Sequence, residues 1–139
     1  MSDCSTHAFD TIPTRRRWAC TIYIIGPVTD LKEDNRPAFE EARRAIERHG
    51  FTAELPHDSI DAGESWTEAM KISIRQLTKA DIVVELDGSD NSPGARIERD
   101  LARSIQIPTY TLDEFLERIG REAQERTETM STKPHTDRP

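Results

Sequence analysis

Four short apolar runs, CTIYII (20–25), FTAEL (51–55), DIVVEL (81–86) and IPTY (107–110), are separated by stretches whose apolar residues recur every three to four positions. This alternation constrains the fold more than any other feature of the chain. CTIYII is continuously apolar, β-branched and aromatic, as a strand buried on both faces must be, and Gly26-Pro27 closes it. Between the runs the period predicts helices. Asn35 reads as an N-cap, with Pro37 in the first turn, Phe39, Ala42 and Ile46 on one face and Gly50 at the end. Ser65 and Glu68 form a capping box for a helix over 66–79 carrying Trp66, Met70, Ile74 and Leu77. Ser92-Pro93 opens a third helix, expected to bury Ile97, Leu101 and Ile105. Thr111 and Glu114 cap a fourth, which carries Leu112, Phe115, Leu116 and Ile119. Strands alternating with such helices imply right-handed crossovers, hence a small, doubly wound α/β fold with a parallel sheet covered on both faces.

The 139 residues suffice for one domain. Residues 1–18 and 121–139 have no apolar period and read as a disordered N-terminal arm and a polar C-terminal tail, leaving 19–120 as the domain. The net charge of −7 is concentrated there. Residues 1–19 set three arginines against two aspartates, and residues 121–139 balance four basic with four acidic side chains, so 20–120 hold −8. Such a surface excludes duplex nucleic acid and anionic membrane as partners, because phosphate binding needs clustered Lys and Arg. No apolar run has the length of a membrane span or a signal peptide, so the expected location is cytoplasmic. Cys4 and Cys20 make neither a disulfide framework nor a zinc site, and the four histidines lack metal-ligand spacing; no metal is expected.

In a doubly wound sheet, ligands bind beyond the carboxyl ends of the strands where the strand order reverses. The loops after the first and third runs therefore carry the candidate site. In the third, Ser92-Pro93-Gly94-Ala95 starts a helix whose free N–H groups and dipole suit an anion, and Glu98 lies one turn deeper on nearly the same face. The same residues also suit an ordinary cap and a surface glutamate. After the first run, Gly26 permits a ligand to lie against the backbone and Tyr23 offers a phenol, or both serve ordinary strand-end packing. Dinucleotide, Walker, nucleophile-elbow and Cys-His signatures are all missing, which removes the main support for dehydrogenase, nucleoside-triphosphatase and serine-hydrolase readings.

Taken together, Tyr-Ile-x-Gly-Pro-x-Thr (23–29), Asn-Arg-Pro-Ala-Phe (35–39), Trp66, Ala-Asp-Ile-Val (80–83), Ser-x-Gly-Ala-Arg-x-Glu (92–98), Asp100-Leu-Ala102 and Ile107-Pro108 resemble the nucleoside 2-deoxyribosyltransferase-like superfamily, over about residues 20–116. The resemblance implies a flavodoxin-like (Rossmann-like) sheet that cleaves or exchanges the N-glycosidic bond of a 2′-deoxynucleoside or its 5′-monophosphate. It makes Glu98 the nucleophile and Tyr23 an active-site tyrosine. It also places Gly26, Pro27, Asn35, Ser73, Ser92, Gly94 and Ala95 around the substrate, with Ser92 holding a phosphate in the monophosphate-specific members. No metal or organic cofactor is required. One position departs: similar catalytic members carry an aspartate where this chain has Ser73, and a serine lacks the proton-donating range of a carboxylic acid. The alternative is therefore a nucleotide-binding or sensing domain without turnover. Trp66 and Met70 exceed what a four-stranded core can cover, which predicts a homodimer or larger homo-oligomer.

Overall fold

The computed structural model describes residues 14–121. Strands β1 (Thr21–Ile25), β2 (Thr52–Glu54), β3 (Ile82–Glu85) and β4 (Thr109–Thr111) alternate with helices α1 (Arg36–Glu47), α2 (Trp66–Thr78) and α3 (Pro93–Ser104). A last helix, α4, covers 112–121, where the described residues end. All strand pairs are parallel, in the order β2-β1-β3-β4. This is the expected small doubly wound α/β fold.

Alternation along β1 sorts the two faces. Ile22 and Ile24 pack with Phe39, Ala42 and Ile46 of α1 and Phe115 and Ile119 of α4. Tyr23 and Ile25 point the other way, toward Leu77 of α2 and Ala102 of α3. Asp81, before β3, accepts the Thr21 backbone N–H at 2.9 Å and fixes the β1–β3 register from one end. The capping box at the start of α4 forms as expected: Thr111 N–H donates to Glu114 at 2.9 Å, and Glu114 N–H donates to the Thr111 hydroxyl at 3.1 Å.

The structure corrects several expectations. The expected arm over 1–18 overlaps the fold. Residues Thr14–Ala19 form a 3₁₀ turn, Arg17 is buried over the Phe51 ring at 5.0 Å, and its guanidinium donates to the His49 carbonyl at 3.2 Å. A planar cation with a long apolar stem packs well against an aromatic, which low hydropathy conceals. The rest of the arm (1–13) and of the tail (122–139) lies outside the described residues. Cys20 is disulfide-bonded, which the cysteine count did not suggest. β4 starts two residues late because Ile107 N–H still closes α3 on the Ala102 carbonyl, at 2.8 Å. Asn35 does not cap α1. It sits at φ +58°, and its amide instead donates to the Pro27 carbonyl at 3.0 Å.

The largest correction concerns α3. Ile97 and Ile105 are 44% and 49% exposed, while the buried face is Ala95, Glu98 and Ala102. Tyr23 already fills the space beneath the helix, so small side chains and one carboxylate face inward.

Candidate functional site

Strand order reverses between β1 and β3, and the loops after these strands part there. A cleft of about 370 Å³ opens at that point, walled by the loop after β1, the loop after β2 and the first turns of α2 and α3. Of the residues expected from sequence, Gly26, Ser73, Ser92, Gly94, Ala95 and Glu98 line it; Tyr23, Pro27 and Asn35 do not.

Glu98 forms the floor. Its place on the inner face of α3, three residues after Ala95 and four before Ala102, turns the carboxylate toward the sheet. There the Tyr23 hydroxyl donates to Glu98 Oε2 at 3.1 Å. Tyr23 has no exposed surface, so it acts on the cleft only through Glu98. Ser73 is also buried, on the inner face of α2, beside Tyr23 and Glu98; its hydroxyl donates to the Met70 carbonyl at 3.2 Å. Burial disfavours the Glu98 carboxylate and pushes its pKa from the ordinary 4.5 to about 7, against the Tyr23 hydrogen bond and the neighbouring Ser73 hydroxyl, which favour the charge. Burial and the adjacent carboxylate push the Tyr23 phenol well above its usual range, so it remains a donor. A carboxyl group half-ionised near neutrality, held in one orientation at the floor of a cleft, is equipped to act as a nucleophile or to exchange a proton.

The two glycines answer to packing. A Cβ on Gly26 would lie 3.0 Å from Leu86 Cβ and 3.2 Å from Phe39 Cζ. One on Gly94 would meet Met70 Sδ at 3.1 Å and Trp66 Nε1 at 3.8 Å, so the close approach there is made by α2. Ser92 caps α3, accepting the Ala95 N–H at 3.3 Å, as its Ser-Pro sequence suggested. Pro27 packs over Gly88, which sits at φ +90°. Pro27 and Asn35 thus shape the wall behind the lining.

Sequence reasoning missed much of the remaining wall. Glu33, Asp34 and Asn35 form three successive left-handed residues, a conformation disfavoured for side chains with a Cβ. They are held by the Asn35–Pro27 bond and by His57 Nε2, which donates to the Asp34 carbonyl at 2.7 Å. Trp66, half-exposed, lines the mouth with Met70. The Asp- and Gly-rich composition of 57–64 was the available signal, since such loops often carry function. Among the described residues no group of three His, Cys, Asp or Glu side chains could hold a metal ion.

The family described as Domain of unknown function (DUF4406) matches residues 20–111, which includes all four strands and every residue of the Tyr23–Ser73–Glu98 cluster. The chain belongs to that family. No curated protein matches it. In this DUF4406 domain the loops after β1 and β3, α2 and α3 all fall within the matched segment, so the cleft is part of the family domain. No helix among its described residues is long and apolar enough to cross a membrane.

Proposed function

We propose that this domain cleaves or exchanges the N-glycosidic bond of a 2′-deoxynucleoside, with Glu98 as the nucleophile. The observation that carries the reading is a buried, tyrosine-anchored carboxylate at the floor of a cleft at the strand-order reversal. The similarity of its sequence blocks to nucleoside 2-deoxyribosyltransferase-like proteins supports the substrate class. In the first step a Glu98 oxygen attacks the anomeric carbon opposite the base. The C–N bond breaks, its electron pair leaves with the base, and the base nitrogen takes a proton from water. In the second, water or another base attacks the same carbon, the ester bond breaks, and Glu98 is regenerated as a carboxylate. Tyr23 holds Glu98 in line and, by donating to Oε2, keeps the other oxygen free to attack.

Ser73 favours a second reading. It is buried beside Glu98, so the floor carries no second carboxylic acid to protonate the departing base. A domain that binds and senses a nucleoside without turning it over fits that feature.

Incubating the full chain with the four common 2′-deoxynucleosides and their 5′-monophosphates, with chromatography for free base and calorimetry for binding, separates the two readings. Base release lost in Glu98→Ala supports the catalytic reading. Binding without release supports the second, and no binding at all overturns both.

A further inference from the structure

The charges around the cleft are lopsided. Asp30, Asp34, Asp61 and Glu64 line it beside Glu98, and among the described residues Arg36 is the single arginine lining it, with no lysine. Arg36 already has Glu40 within 3.5 Å. The start of α3, which the sequence offered as a phosphate cradle, is occupied. The Ser92 hydroxyl accepts the Ala95 N–H, and Met70 and Trp66 cover the Gly94 backbone.

On the strength of the function proposed above, we infer that this site takes the uncharged nucleoside with a free 5′-hydroxyl and rejects its 5′-monophosphate. Recognition of a phosphate needs donors and positive charge converging on its oxygens. Here a phosphate would enter among four carboxylates, with one guanidinium that already has a carboxylate partner. Specificity of this kind comes from repulsion of the wrong ligand, not from a dedicated contact to the right one. A free 5′-hydroxyl meets no such penalty, and the acidic wall offers it acceptors. On this inference Ser92 serves as the cap of α3 and not as a phosphate contact.

The test compares base release and binding for each 2′-deoxynucleoside and its 5′-monophosphate, using the full chain. The expected result is a preference for the nucleoside of about tenfold or more, the factor that each 1.4 kcal/mol of repulsion supplies. Raising the salt concentration screens surface charges and should narrow the ratio. The double variant Asp61→Asn, Glu64→Gln should narrow it too, while Ser92→Ala leaves it unchanged. A parent protein that prefers the monophosphate, or treats the two alike, overturns the inference. If the monophosphate is cleaved preferentially and Glu98→Ala abolishes that cleavage, the proposed chemistry stands and only the charge selectivity falls. If neither ligand binds, both fall together.

Discussion

Replacing Glu98 with glutamine should stabilise the protein in alkaline solution and barely affect it in mild acid. Burial holds the Glu98 carboxyl near 7 in the folded state, against an ordinary 4.5. A carboxyl whose pKa rises on folding favours the folded state most when protonated. Its contribution is intact below the unfolded value and is lost as pH climbs through the folded one. The difference of about 2.5 units, at 1.36 kcal/mol each, makes the loss about 3 kcal/mol between roughly pH 4 and pH 8. Glutamine keeps the shape and can still accept the Tyr23 hydroxyl without a charge to desolvate, so Glu98→Gln should escape that loss. Urea unfolding of both proteins across this range supplies the comparison. Taking the difference between them cancels other titrations, including that of His49, whose lowered pKa, caused mainly by burial, gives the opposite slope. Parallel stability curves for parent and variant would show that Glu98 ionises freely in the fold and that the buried-carboxylate account is wrong.

If Glu98 attacks as a carboxylate, base release should rise with pH through about 7 and then level off; a rate that falls over the same range would instead mark Glu98 as a proton donor. Ser92→Ala removes the cap of α3 and should cost about 1 kcal/mol in unfolding experiments, with nucleoside affinity little changed. A large affinity loss without destabilisation would make Ser92 a ligand contact. Trp66, Ile97 and Ile105 leave apolar surface in water, and we propose that a second copy of the chain covers part of it. Light scattering at micromolar concentration should report a dimer or larger, and monomer alone would refute this.

The sheet was legible because its strands are what a doubly wound fold requires: CTIYII is apolar throughout, and Gly, Pro and capping residues punctuate each crossover. The site's position followed from topology, and Ser92 as a cap followed from its neighbours. The inner face of α3 was not legible. Hydrophobic periodicity registers large apolar side chains, and Ile97, Leu101 and Ile105 stand four apart; of these only Leu101 packs, partly buried, against the core, while the buried face is Ala95, Glu98 and Ala102. A buried carboxylate looks in sequence like a surface one; only the Tyr23 hydroxyl 3.1 Å away distinguishes it. The backbone conformation of Glu33 to Asn35 was hidden for another reason. Its left-handed residues are not glycines, and they hold that conformation through bonds to Pro27 and His57, partners 8 and 23 residues away in sequence.

Glu98 as the nucleophile that bonds the sugar is the central claim, and mass spectrometry of the full chain quenched during incubation with a 2′-deoxynucleoside tests it most directly. The account predicts a deoxyribosyl increment on the peptide containing Glu98, absent in Glu98→Ala together with base release. Base released at the parental rate by Glu98→Ala would contradict it.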